Sequence, residues 1–269
     1  MSGRPKQLFR FRTWLKAERN YTRELLEEGE FYCSGPREFD DPHDSQLGAH
    51  ATGSHLDIDR WILHDMQAIP VLMRKYKLSS LTQVDEQTVT DPEDRKILAG
   101  IARRNARRHT RVICLSGDWG NELMWAFYAD NHRGVCLCFN AEHEFFQRAK
   151  PVLYTHSPVD VEHIVDSQAE VDHMVYCKSL AWQFQKEWRI VFPGDEPKKL
   201  QFSKESLTAV ILGYRFPEPQ FNELKQVLIN GGYAIDVLRA DRIPKTYVLG
   251  LLNVERIGLA EKPGQGPAK

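Results

Sequence analysis

The sequence predicts one α+β domain in which small mixed or antiparallel sheets surround a cleft, with a helical insertion at about residues 55–109. Three observations support this prediction. Short runs typical of strands recur along the chain, above all after residue 110. Helical segments separate them without the strict alternation of a doubly wound parallel sheet. Residues 57–77 and 91–108 have only helical periodicity. We expect the domain to span residues 1–255 and residues 256–269 to form a disordered tail.

Each element follows from a local pattern. Residues 7–14 alternate apolar residues with arginine, as a half-buried strand does, and Asn20 caps a short helix that ends at Gly29. Further strands are predicted at EFYCS, RVICLS, GVCLCFN, VLYTH, EWRIVF, LTAVILG and YAIDVLRA, and further helices at ELMWAFYADNH, at residues 158–184 and at PQFNELKQVLING.

Composition narrows the functional classes. The chain has 269 residues, 42% apolar and 27% charged, which is ordinary for a globular protein. No run approaches the roughly 20 apolar residues of a membrane helix, and the start of the chain has no apolar signal-peptide core, so we expect a cytoplasmic protein without a membrane partner. Five cysteines, without a C-x-x-C pair, indicate reduced buried thiols rather than a zinc site.

Charge is uneven along the chain. The net charge of −1 provides no global attraction for nucleic acid. One short segment nevertheless carries five arginines, of which the last four share a helical face: Arg103, Arg104, Arg107, Arg108 and Arg111. This face is either solvated or a patch that binds the phosphates of a nucleic acid or dinucleotide.

The segment WQFQKEWRIVF is the first candidate for chemistry. Gln185, Glu187 and Arg189 alternate, so they point to one side of a strand. Such a row fits either an edge strand with a Glu187–Arg189 surface pair or a catalytic carboxylate aimed into a cleft.

Three other segments carry candidate site residues. In ELMWAFYADNHRG, Trp125 and Tyr128 are spaced to form either core or a stacking wall for a planar ring. Arg10 and Arg12 in the first strand fit either a surface strand or phosphate binding. The acids and histidine of FDDPHD fit either a turn or a hard-metal site, and we favour the turn, without a metal: Asp40, Asp41, His43 and Asp44.

The order of these segments resembles a bacterial family known as domain of unknown function 2971. The matching pieces are LFRFR, GEFYCSGPREFDDPHD, VICLS, LMWAFYADNHRGVCLCF, Lys178, WQFQKEWRIVF, AVILGYR and YAIDVLRADRIPKTYVL, which span about residues 7–250.

More distantly, the motif order is similar to ADP-ribosyltransferases, especially toxins that modify DNA. That resemblance implies NAD as substrate, with Glu187 stabilising the cation that forms on the ribose and Gln185 orienting the acceptor. It assigns the remaining residues to NAD binding: Arg10, Arg12, Ser116, Trp125, Tyr128 and Arg189. Ser116 lacks the Ser-Thr-Ser spacing of that superfamily, and Gln185 stands where a glutamate is usual.

Three functional hypotheses therefore stay open. The first is an NAD-dependent ADP-ribosyltransferase or NAD-cleaving enzyme, in a toxin or phage-defence system, that acts on nucleic acid or protein. The second is a nucleic-acid-binding protein or metal-dependent nuclease built on FDDPHD and the arginine cluster. The third is a non-catalytic sensor or partner-binding module.

Overall fold

The structure is a computed structural model that describes residues 3–14, 20–35, 38, 39, 41, 44, 70–79, 87–92, 94, 97, 98, 110–157, 175–192 and 198–258. The strands are β1 (Gln7–Arg12), β2 (Glu30–Tyr32), β3 (Arg111–Ser116), β4 (Val135–Asn140), β5 (Lys150–Pro151), β6 (Leu153–Thr155), β7 (Cys177–Ser179), β8 (Glu187–Phe192), β9 (Lys199–Gln201), β10 (Leu207–Leu212), β11 (Asp236–Arg242) and β12 (Leu249–Arg256). The α-helices are α1 (Tyr21–Glu28), α2 (Glu122–Tyr128), α3 (Glu144–Gln147) and α4 (Glu218–Asn230), and 3-10 helices cover Leu180–Gln185 and Lys204–Ser206.

The strands form one large mixed sheet in the order β12-β11-β10-β4-β1-β3-β8-β5, beside the two-stranded sheets β2-β9 and β6-β7. Neighbours in the large sheet are antiparallel except for β10 and β11, which are parallel. These two strands are joined through α4, because a parallel pair needs a crossover. The predicted α+β class is confirmed. The prediction of small sheets is wrong, since β1 pairs with both β3 and β4 and so joins the strands into one sheet of eight.

Helices cover both faces of the large sheet. The larger core cluster lies on the face that carries α1 and α4, and includes Leu26, Phe31, Phe139 and Leu228. A smaller cluster lies on the opposite face under α2 and includes Phe9, Phe11 and Trp125. The alternation in β1 places its phenylalanines on the α2 face. No helix in the described part of the chain is long and apolar enough to cross a membrane.

The large sheet opens between β1 and β3. All six residues of β1 pair with β4, whereas only Phe9 pairs with β3, opposite Ser116. Beyond this pair, the guanidinium of Arg10 donates to the carbonyl oxygen of Cys114. The Arg10 side chain thus binds a β3 carbonyl oxygen that would accept from a backbone N–H in a continuous antiparallel ladder. The opening leaves room for a cavity inside the sheet.

Tight turns fix the elements around this opening. Asn20 caps α1 and Gly29 ends it at φ 71°, as predicted. The predicted helix ELMWAFYADNH is shorter than expected, because α2 ends at Tyr128 and residues 130–132 are left-handed, with φ of 46°, 50° and 67°. The chain then passes close to β1, where a Cβ on Gly134 would lie 2.2 Å from the Arg12 carbonyl oxygen.

Several predictions concern other parts of the chain. Strands β5, β7, β9 and β12 were not predicted. Strand β7 and the 3-10 helix that follows it correct part of the helix expected at residues 158–184. Most of the insertion at 55–109 lies outside the described residues, as does the tail from residue 259. Residues 70–75 are helical, and a small core of their own joins the neighbouring segments: Leu72, Leu78, Val89 and Leu98.

Candidate functional site

A cavity of about 400 Å³ lies where β1 and β3 separate. It is lined by residues of β1 and β3, the first residues of β8, the end of α2 and four residues that precede the insertion: Glu38, Phe39, Asp41 and Asp44. Its polar and charged lining residues include Arg10, Arg12, Glu38, Asp41, Asp44, Ser116, Tyr128, Lys178, Gln185, Glu187 and Arg189. Its volume falls within the range typical of small-molecule sites.

Arg189 is the centre of an ion cluster at the cavity wall, and its side chain is fully buried. It donates to both carboxylate oxygens of Asp44, over 2.8 and 2.6 Å. It also donates to both oxygens of Glu187, over 2.9 and 3.0 Å. A further bond of 2.6 Å reaches the Val175 carbonyl oxygen. The planar guanidinium fork suits such paired contacts and joins strand β8 to the segment that carries Asp44.

Lys178 is the second cation of the cluster and is buried as well. Its ammonium group lies 3.0 Å from Asp44 Oδ2 and 3.2 Å from Glu187 Oε2. It donates a third bond of 2.8 Å to Gln185 Oε1. An ammonium group has three protons, so these acceptors satisfy all of its donors. Two cations and two carboxylates balance, which is the condition for keeping charges in the interior.

The cluster fixes the protonation of Glu187. Burial opposes ionisation of this carboxyl, but the charges of Arg189 and Lys178 outweigh burial and lower its pKa from 4.5 to about 2. Burial also opposes the charged form of Lys178 and so lowers its pKa. The negative charges of Glu187 and Asp44 outweigh burial and raise the pKa of Lys178 above its ordinary value. Glu187 is therefore an anion, and Lys178 a cation, at neutral pH.

A chain of hydrogen bonds extends from the cluster to α2. Gln185 accepts from Lys178, so its amide nitrogen faces Tyr128 and donates to the hydroxyl oxygen over 2.6 Å. Ser116 Oγ donates to the Gln185 carbonyl oxygen over 2.7 Å. The backbone N–H of Glu187 donates to the Tyr154 hydroxyl over 2.8 Å. These bonds hold Gln185, at the end of the 3-10 helix, and Glu187, at the start of β8, in a single arrangement.

Arg10 and Arg12 form the basic side of the cavity. Arg10 bonds to the Cys114 carbonyl, while the Nε of Arg12 is buried without a hydrogen-bond acceptor. Neither makes an ion pair with a residue that the structure describes. Burial, and then the charge of Arg10, lower the pKa of Arg12 to about 10. Arg12 thus remains charged at neutral pH, and its lack of an ion-pair partner among the described residues favours an anionic ligand.

The structure brings together seven of the eight predicted site residues: Arg10, Arg12, Ser116, Tyr128, Gln185, Glu187 and Arg189 line the cavity. The eighth residue, Trp125, does not line the cavity, so the prediction that it forms an aromatic wall for a ligand is wrong. Its ring is fully buried, packs edge-on against Phe11 at 5.1 Å and donates to the Trp119 carbonyl. A ring without exposed surface offers no face to a ligand. The Glu187–Arg189 pair exists, but it is buried rather than on the surface.

The sequence analysis did not assign a role in this cavity to several residues that line it, including Lys178, Asp44 and Cys114. Lys178 lies in a strand that was predicted to be helical, and Asp44 was assigned only to a turn or a metal site. Both oxygens of Asp44 are bound by cations, so a metal would have to displace Arg189. Among the described residues no cluster suited to a metal is present. Asp40, His43 and the arginines 103, 104, 107 and 108 lie outside them, and Arg111 begins β3.

Comparisons with protein families, curated proteins and solved structures find no match for this chain. The fold and the site themselves define an α+β protein whose central sheet opens around a charged cavity of about 400 Å³. The resemblance to domain of unknown function 2971 stays a prediction.

Proposed function

We propose that the cavity binds NAD and that the protein cleaves the bond between nicotinamide and ribose, passing the ADP-ribosyl group to water or to an acceptor. The observation that carries this proposal is the juxtaposition in one cavity of an ionised carboxylate, Glu187, and two arginines, Arg10 and Arg12, that pair with no carboxylate of the described residues. NAD presents the complementary charges, a pyrophosphate and a ribose that becomes cationic as the bond breaks.

The phosphate end of NAD is assigned to Arg10 and Arg12. Guanidinium groups bind phosphate oxygens through paired hydrogen bonds, and a buried guanidinium gains most from such a partner. Arg12 has an unused Nε donor and a pKa lowered mainly by burial, so an anion would relieve its desolvation.

The ribose end is assigned to Glu187. Its contact with Lys178, at 3.2 Å, is longer than its contacts with Arg189, at 2.9 and 3.0 Å. Lys178 keeps Asp44 and Gln185 as acceptors when that contact is given up. A ribose hydroxyl can therefore replace Lys178 at one carboxylate oxygen and bring the negative charge next to the developing cation.

The reaction balances without a metal or an oxidant. The bond between the ribose anomeric carbon and the nicotinamide nitrogen breaks, and its electron pair leaves with nicotinamide. A water or acceptor oxygen donates a lone pair to the same carbon and then loses its proton. Gln185 carries no charge and would orient the acceptor, whereas Tyr128 is the member of the predicted aromatic pair that lines the cavity.

A direct test is to incubate the protein with NAD and separate nicotinamide and ADP-ribose by chromatography. Wild type is expected to release nicotinamide, and Glu187→Gln to lose a hundredfold or more of the rate, roughly the effect of removing one electrostatic stabiliser of a transition state. Glu255→Gln is the matched control, because Glu255 is partly exposed and pairs with Lys225 on the surface. Equal rates for the three proteins would refute the role of Glu187.

The ion cluster also favours a second candidate, a module that binds a nucleotide without cleaving it. Both oxygens of Glu187 are occupied in the structure by Arg189, and one also by Lys178, as in a cluster that serves stability. For such a module, calorimetry would detect NAD binding that Arg12→Met weakens, while chromatography would show intact NAD.

A further inference from the structure

The loops at one end of the large sheet carry exposed basic and aromatic side chains outside the cavity. The end of β1, the start of β4, the end of β10 and the second half of β11 lie side by side. Arg12 pairs with Val135, Val135 with Leu212, and Leu212 with Arg239. The loops 129–134, 213–217 and 243–248 leave the sheet at this end. They contribute what is called here the loop-end patch: Arg133, Tyr214, Arg215, Arg242, Lys245 and Tyr247.

The centre of the loop-end patch is Tyr214. The guanidinium of Arg215 lies 4.9 Å from the centre of its ring and that of Arg242 lies 5.4 Å from it. The imidazole of His132 packs against the same ring at 4.8 Å. One arginine from a loop and one from the end of β11 are therefore held at one ring, which limits the entropy that they lose on binding a ligand.

The four cations of the patch make no ion pairs with the residues that the structure describes, and all four are exposed. The carboxylates of the same region are Asp130, Asp241, which accepts from the backbone N–H of Arg242, and Glu122, whose charge acts on His132. The cations outnumber them. In contrast, Arg239, which lies on β11 like Arg242, pairs with Glu218 and is not part of the patch.

Backbone hydrogen bonds connect the loops that present the patch. The Arg215 N–H donates to the His132 carbonyl over 3.0 Å, and the Gly213 N–H donates to the Gly134 carbonyl over 2.9 Å. A Cβ on Gly213 would lie 2.1 Å from the His132 carbonyl oxygen, so only glycine allows this approach. Three successive left-handed residues, 130–132, are tolerated in the facing loop. Strain of this kind is typically retained at functional surfaces.

We propose that the loop-end patch binds single-stranded nucleic acid. Cations without protein partners suit phosphates, and interleaved aromatic rings suit unstacked bases, as in other single-strand binding surfaces. Tyr247, whose side chain is 97% exposed at the tip of the β11–β12 hairpin, provides a free ring. An acidic peptide would satisfy the cations but would give this ring no planar partner. This inference goes beyond NAD cleavage and does not depend on it.

The test is fluorescence anisotropy with a labelled single-stranded oligonucleotide over a range of salt concentrations. Arg215→Ala with Arg242→Ala is expected to weaken binding tenfold or more and to reduce the slope of log affinity against log salt by about 1.4, or about 0.7 for each lost phosphate contact. Tyr247→Ala is expected to weaken binding roughly tenfold at all salt concentrations. The matched control is Arg256→Ala, on β12 at the opposite end of the sheet, which should bind like wild type.

Three results would overturn the proposal. Wild type fails to bind the oligonucleotide, Arg256→Ala weakens binding as much as the double variant, or polyglutamate of equal charge competes as well as the oligonucleotide. Circular dichroism establishes that each variant is folded. Neither Arg215 nor Arg242 lines the cavity, so NAD cleavage in the absence of an acceptor should be unchanged in the double variant. Binding without cleavage would therefore refute the proposed reaction and leave the patch assignment standing.

Discussion

Replacement of Glu187 by Gln tests how much the buried ion cluster contributes to stability. The side chain keeps its size, but its amide has one acceptor oxygen in place of two, and its NH₂ group would face the donors of Arg189. The sequence alone predicts that this substitution leaves the fold nearly unchanged. The cluster reverses that expectation, because the variant leaves two buried cations with Asp44 as their remaining carboxylate.

Two independent estimates of the magnitude agree. The pKa of Glu187 falls from 4.5 in the unfolded chain to about 2, and that difference corresponds to about 3 kcal/mol of folding free energy at neutral pH. Removing one partner of a buried ion pair typically costs about 3–5 kcal/mol. We therefore expect the free energy of unfolding of Glu187→Gln to lie about 3 kcal/mol below that of wild type at pH 6.

The pH dependence gives the sharper test. A depressed carboxyl pKa contributes stability that is fully present above the unfolded value of 4.5 and is lost as the pH falls through about 2. Urea unfolding followed by circular dichroism should show the difference between wild type and variant shrinking by about 2 kcal/mol from pH 6 to pH 3. Glu255→Gln should change stability by less than about 1 kcal/mol, because its ion pair is partly exposed. An equal difference at both pH values would refute the reasoning.

Three more substitutions separate binding from stability. Arg12→Met should weaken NAD binding about tenfold in calorimetry without lowering the melting temperature, because burial disfavours this cation; a large loss of stability would contradict this. Lys178→Met should lower the turnover of NAD and also destabilise the fold by about 3 kcal/mol or more in urea unfolding, since it leaves the two buried carboxylates Asp44 and Glu187 to share Arg189; wild-type behaviour would show that the cluster does not need Lys178. Trp125→Ala should destabilise by about 3–5 kcal/mol through loss of core packing; if the melting temperature stays unchanged, its burial is not structural.

The elements with simple local patterns were predictable from the sequence. β1, β3, β4 and β8 follow from apolar or alternating runs, and α1 follows from its cap at Asn20 and its end at Gly29. The joining of these strands into one sheet was not predictable, because a strand pattern does not show how many strands will pair with it. β12 was missed for a related reason, since an edge strand with several exposed residues has no clear two-residue period.

The candidate site was likewise predictable from the sequence only in part. The alternation of Glu187 and Arg189 places both on one side of β8, and both line the cavity. Gln185 also lines it, but from the end of the 3-10 helix, because the left-handed Lys186 interrupts the predicted strand. The roles of Lys178 and Asp44 depend on contacts between distant segments, which local patterns do not encode. Trp125 was assigned to NAD binding by the resemblance to ADP-ribosyltransferases, because the helical stripe itself left a core position and a stacking wall both open.

NAD cleavage is the central claim, and labelled NAD tests it most directly. The protein is incubated with NAD that carries a label in its adenine, together with a mixture of DNA, RNA and protein acceptors. The account predicts that the label moves to an acceptor or to free ADP-ribose and that nicotinamide appears in equal amount. NAD that stays intact, with no label on any acceptor, would contradict it.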